Sequence, residues 1–122
     1  MSSTGKISVL GIGLPIPKEM DPNGDALAKI TAHAASKNIE LTSCLIDMAG
    51  TDDEEIVKLV KEKLNEQQYT VISFGWAFRA IKEINTKFER VLNVCVQMQP
   101  GARMGFPTSP QEMLTVVERV MA

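Results

Sequence analysis

Histidine is almost missing. His33 is the only one in 122 residues, and it stands in a helical segment far in sequence from any cysteine or carboxylate cluster. A metal centre built on imidazole is therefore disfavoured, and a Ser-His-Asp triad would need its base at that helical position. Cysteine is limited to Cys44 and Cys95, which are far apart and both lie in apolar segments. They read as reduced core thiols rather than a disulfide or a metal pair, and neither has the electropositive, accessible surroundings of a nucleophile. Charge of one sign is lacking too: 13 basic residues face 15 acidic ones. Such a chain carries neither a nucleic-acid footprint nor an acidic tail. No apolar run approaches membrane-spanning length. The start, Met1 to Lys6, does not read as a signal peptide, because the short apolar run behind it reads as a strand. No membrane association and a cytoplasmic location are the expectations. Repeats, linkers and low-complexity stretches are not seen, nor is a phosphate-loop lysine motif.

What is present is an alternation of strand and helix patterns over a single domain, residues 1–122. Lys6 to Gly13 reads as the first strand. Leu14-Pro15-Ile16-Pro17 delays the helix, since a residue before proline is pushed out of the α region. Asn23 or Asp25 caps that helix, and Leu27, Ile30 and Ala34 form its apolar face until Lys37-Asn38. Ile39 to Ile46 is a second strand at a sheet edge, closed by Asp47. Thr51 and Glu54 form a capping box for the second helix, which buries Ile56, Val57, Val60 and Leu64. Val71 to Phe74 is a third strand. Thr86 and Glu89 form a capping box for a third helix that is apolar well beyond one stripe and so should be buried on more than one side. Arg103 to Phe106 is a short fourth strand. Ser109-Pro110-Gln111-Glu112 then starts a last helix with Met113, Leu114, Val117 and Val120 inside. Four alternations predict an α/β fold of three layers: a four-stranded parallel sheet, flavodoxin- or Rossmann-like, in the order 2-1-3-4.

The stretch from Tyr69 to Arg79 organises the rest. Val71, Ile72 and Phe74 make a strand apolar on both faces, as in a parallel sheet. Gly75 then opens a turn. Trp76 and Arg79 follow where ligands of open α/β sheets bind, beyond the carboxyl ends of the strands. The order 2-1-3-4 makes the first and third strands neighbours. The two long loops, Gly11 to Asn23 and Gly75 to Asn85, then form opposite walls of one crevice, and long loops in compact domains are often functional. Gly11 and Gly13 do not complete a dinucleotide fingerprint, because Ile16 stands where the third glycine belongs. The candidate ligand-binding set is Gly11, Gly13, Asp47, Gly75, Trp76, Arg79, Thr108 and Ser109. Arg79 would supply positive charge, Trp76 a stacking face, and Thr108-Ser109 the N–H groups of the last helix. Asp47 is either a base or hydroxyl-gripping residue or a loop-entry aspartate bonded to backbone. Asn93 should find a hydrogen bond, because a buried unpaired amide is costly.

The second half resembles a group of short bacterial and fungal Rossmann-like α/β proteins of unassigned activity. The resemblance rests on residues 69–79, on Phe88-Glu89-Arg90-Val91-Leu92-Asn93, on Pro100-Gly101-Ala102-Arg103, and on Phe106-Pro107-Thr108-Ser109-Pro110. It implies that Arg79, Glu89, Asn93 and Thr108 form one polar cluster. Pro107 replaces an asparagine usual in the group, and Val96 stands where a histidine is common. Three functional expectations follow. The first is binding of a small anionic or phosphate-bearing ligand at the crevice. The second is an enzyme using Asp47 or Glu89 with Arg79. The third is an interaction protein without a small-molecule site. A homodimer is expected under each, and no cofactor is identified.

Overall fold

The computed structural model describes residues 7–15, 19, 21–75, 81–108 and 112–121. Among the described residues four strands alternate with four α-helices: β1 (Ile7–Gly13), α1 (Asp25–Ser36), β2 (Ile39–Leu45), α2 (Asp53–Glu66), β3 (Val71–Phe74), α3 (Asn85–Met98), β4 (Arg103–Gly105) and α4 (Met113–Met121). A 3₁₀ turn, Lys82–Ile84, leads into α3. All strand pairs are parallel, and the sheet runs β2-β1-β3-β4, as the alternation predicts. β1 is central, pairing Ile7–Gly13 with Ile39–Leu45 on one side and Val9–Ile12 with Val71–Phe74 on the other.

Because side chains alternate along a strand, each face of the sheet collects its own set. Leu10, Ile12, Cys44, Ile72 and Phe74 point to α2 and α3, where Ile56, Val60, Leu64, Val91 and Cys95 complete one cluster. Val9, Val71 and Ile39 point the other way and meet Ala34 of α1 and Val117 of α4. The three layers follow from these two clusters. Gln99, buried just past α3, ties the first cluster's edge together. Its amide nitrogen donates to the carbonyls of Leu64 and Gln67, and its oxygen accepts the N–H of Tyr69. Both its N–H groups and its oxygen thus have partners, as a buried amide requires.

Helix ends differ from the sequence reading in instructive ways. The cap of α2 is Asp52, not Thr51: its Oδ1 accepts the N–H of Glu55 at 2.9 Å. Thr51 lies one residue outside, and its carbonyl accepts from Lys87 instead. Gly24, with φ of 69°, occupies the cap position of α1. The carboxylate that satisfies the first N–H groups belongs to Asp21, which accepts from Asp25 and Ala26. α3 grows out of the 3₁₀ turn and starts at Asn85 with no side-chain cap, so Thr86 and Glu89 form no capping box. α3 is also less enclosed than its composition suggests. It buries Val91 and Cys95, while Val96 is 46% exposed, so one face alone carries the packing against α2. β4 ends at Gly105, leaving Phe106 outside the strand. α1 does stop at Lys37, and Asn38 turns the chain with φ of 64°, a conformation asparagine tolerates. No helix among the described residues is long and apolar enough to cross a membrane.

Candidate functional site

The carboxyl ends of β1 and β3 meet through two glycines. The N–H of Gly75 donates to the carbonyl of Ile12 at 2.8 Å. A Cβ on Gly75 would stand 3.5 Å from the Cα of Gly13, and one on Gly13 would stand 3.6 Å from the Cα of Gly75. The two backbones therefore approach face to face at the switch point, and the chain leaves the sheet on both sides of it. Next to this contact opens a cleft of about 440 Å³, lined by Leu14, Pro15, Asp47, Ala49, Ile81 and Ile84. The first two residues follow β1, the next two follow β2, and the last two follow β3. The described residues Leu14 and Pro15 of the first long loop and Ile81 and Ile84 of the second converge, and a third segment, the β2–α2 connection, joins them.

Asp47 brings the carboxylate. Its Oδ1 and its own carbonyl both accept the N–H of Gly50, each at 3.2 Å. This is the loop-entry aspartate, bonded to its own backbone turn. A Cβ on Gly50 would come within 2.6 Å of Oδ2, so a side chain there would oblige the exposed Asp47 carboxylate to turn aside. The wall that carries this turn is held from behind by Lys87 of α3. Its Nζ donates to the carbonyls of Met48 at 2.6 Å and Thr51 at 2.7 Å, and lies 3.8 Å from Asp53. Arg90, one turn on, pairs with Asp53 and Glu54 at the start of α2. An ammonium that satisfies two loop carbonyls does more than an exposed ion pair, because those carbonyls would otherwise face a largely buried lysine stem without a partner.

The other sequence candidates are distributed as follows. Gly13 and Gly75 form the close contact between β1 and β3 but are not among the residues that line the cleft. Gly11 lies in the body of β1 beneath α4, where a Cβ would stand 3.4 Å from the Cε of Met113, and it does not line the cleft. Trp76, Arg79 and Ser109 lie outside the described residues. Thr108 is exposed, and its N–H donates to Oε1 of Glu112. Hydrogen bonds from the hydroxyl and the N–H of Thr108 hold the Glu112 carboxyl below the ordinary glutamate range. Glu89 and Asn93 are both exposed, and the amide of Asn93 donates to the carbonyl of Glu89 within the helix at 2.8 Å. Asn93 has its structural hydrogen bond without being buried.

The thiols are buried and free. Burial pushes Cys44 up, and it pushes Cys95 up to about 12, with the charge of Cys44 adding to the effect. Neither is a thiolate near neutrality, so neither is placed for nucleophilic work. His33 is exposed on α1. No group of three or more metal-binding side chains occurs among the described residues.

Sequence reasoning missed the apolar lining of the cleft and the role of Lys87. Ile81 and Ile84 carried a signal in their spacing of three, which puts both on one side of a 3₁₀ turn. Lys87 carried none, since its partners are main-chain carbonyls 36 and 39 residues away.

No protein-family profile matches the chain, and no curated protein matches it. Among solved structures, the crystal structure of a fragment of a candidate lipoprotein from Peptoclostridium difficile 630 is similar: the TM-score is 0.56 at 15% identity, over 96% of this chain and all of that one. At that identity the likeness speaks for the fold.

Proposed function

We propose that this domain binds a small, largely apolar molecule in the cleft at the carboxyl ends of β1, β2 and β3. The observation that supports this is the convergence of three separate connections on one apolar space of about 440 Å³ beside the switch point. Its position, beyond the carboxyl ends of neighbouring strands, is where open α/β sheets bind ligands. Leu14, Pro15, Ala49, Ile81 and Ile84 supply contact area, and the Lys87 bonds keep the Ala49 wall in place. Binding of an anion instead would rest on the guanidinium of Arg79.

The test uses a neutral probe, 4-phenylbutanol, followed by amide chemical shifts. Perturbations should concentrate at Leu14, Ala49, Ile81 and Ile84. Ala49→Trp, which fills the cleft from an exposed position, should abolish them while leaving the unfolding midpoint unchanged. Shifts spread over the surface, or unaffected by Ala49→Trp, would remove the reading.

A further inference from the structure

We infer that two copies of this chain join along β2, edge to edge and antiparallel about a two-fold axis, so that their sheets become one. The two edges of the sheet are unlike. β4 is three residues long and opens on Arg103, and a short, charged edge resists pairing. β2 is seven residues long and pairs with β1 at every position, without a bulge. It holds no proline, glycine or lysine, and Glu40 is its one charged residue.

The main-chain groups of β2 take sides. Ile7 donates to the carbonyl of Asn38, and Ile46 donates to that of Gly13. In a parallel ladder alternate residues face the same neighbour, so Glu40, Thr42 and Cys44 also turn their N–H and C=O groups toward β1. Those of Ile39, Leu41, Ser43 and Leu45 point outward. An antiparallel partner sets outward residues against outward residues, and each such pair exchanges both of its N–H···O bonds. The register that uses the whole strand places Ile39 opposite Leu45 and Leu41 opposite Ser43, with Thr42 meeting itself on the axis.

Two features of the surface suit this register. Leu45 is 41% exposed, and alternation puts it on the same side of the strand as Ile39 and Leu41, the side that α1 covers. At the other end of β2, on that side, lies a hollow of about 320 Å³ lined by Thr31, Ala35, Asn38, Ile39, Glu40 and Leu41. The two-fold axis delivers each Leu45 to the hollow of the other copy, a self-complementary knob and hole. The second feature is charge. Glu40 is exposed and stands across from Cys44, not from a second Glu40, and like charges directly opposite would hold the strands apart. The charges that reach Cys44, those of Lys63 and Glu66, are of opposite sign and belong to an ion pair.

Sedimentation of the full chain tests the association, and cross-linking tests the register. The wild type should sediment as a dimer at high micromolar concentration. Leu45→Lys alters an exposed position and leaves the β1 ladder intact; it should weaken the dimer at least about tenfold, because the axis loses the contact twice. Thr42→Cys places two thiols at a non-hydrogen-bonded pair, where Cα atoms stand about 4.5 Å apart. Copper–phenanthroline should link this variant into a covalent dimer and leave the wild type, whose thiols are buried, unlinked. Well-dispersed amide spectra check that both variants fold. A wild type that stays monomeric would overturn the inference and leave this edge to a strand of another protein. A dimer that keeps its affinity in Leu45→Lys, or that Thr42→Cys fails to link, would overturn it as well, since the copies would then meet through another surface.

Discussion

Beneath α2 and α3 the sheet presents Leu10, Ile12, Ile72 and Phe74, and the space is filled by a cluster that reaches from Cys44 to Ala102. Beneath α1 and α4 the sheet presents Val9 and Val71 among small residues, and the buried cluster is short. On this second side, Gly11, Ser73 and Gly105 pair in one row across β1, β3 and β4. A Cβ on Gly105 would stand 2.5 Å from Cγ1 of Val116, so α4 rests almost on the sheet's main chain. One face therefore gains stability from the volume of its side chains, and the other from close approach of a helix to bare backbone. The first kind of packing fails when atoms are removed, the second when they are added.

That contrast can be broken most severely at Phe74. Its ring is fully buried, stacks on Phe106 and meets the edge of Phe88, with both centroid distances 5.6 Å. Phe74→Ala should cost about 3–5 kcal/mol in urea unfolding. It should also loosen the carboxyl end of β3, seen as faster amide exchange at Phe74 and Gly75. A cost under about 1 kcal/mol would mean that the face is not packed by volume.

Gly105→Ala tests the opposite face. The obstructing atom belongs to Val116, a short, stiff side chain at full burial, so α4 must shift. We expect a loss of about 1–3 kcal/mol. Gly11→Ala is its control. There the nearest atom is the tip of Met113 at 3.4 Å, which can give way, and the alanine also reduces the freedom of the unfolded chain. A change within about 0.5 kcal/mol of zero is expected for Gly11→Ala. Equal effects at the two glycines would erase the distinction between them.

The smallest effect is the most diagnostic. Ser73 is wholly buried between those two glycines, and its hydroxyl has no hydrogen-bond partner among the described residues. Ser73→Ala removes an unsatisfied polar group and leaves at most a very small void. It should be neutral or stabilising by up to about 1 kcal/mol. A clear loss of stability would show that the hydroxyl is engaged in solution and that this face is less bare than its row of small residues implies.

Both faces were partly legible in the residues. The nearly continuous apolar run Val71-Ile72-Ser73-Phe74 announced a strand covered on two sides, and the spacing of Ile56, Val60 and Leu64 announced the face of α2. The row Gly11-Ser73-Gly105 was not legible as a row, because its members are 32 to 94 positions apart and align only once the register is fixed. Beside the sheet's carboxyl end, the neighbouring of β1 and β3, and with it the approach of the segments that follow them, was readable from strand order. The apolar lining by Ala49, Ile81 and Ile84 was not, since it depends on how loops settle against one another rather than on any local pattern.

The sequence by itself determined the element order, the parallel sheet and the strand neighbours. Periodicity, capping chemistry and the handedness of crossovers act locally and leave few arrangements open. Only the tertiary structure decided which carboxylates cap α1 and α2, that Lys87 would reach back to the carbonyls of Met48 and Thr51, and that the Asp47 carboxylate would border an apolar cleft. Those outcomes are competitions among several chemically equivalent groups. They are settled by which partners the packed elements bring within hydrogen-bonding distance, and no stretch of chain carries that information alone.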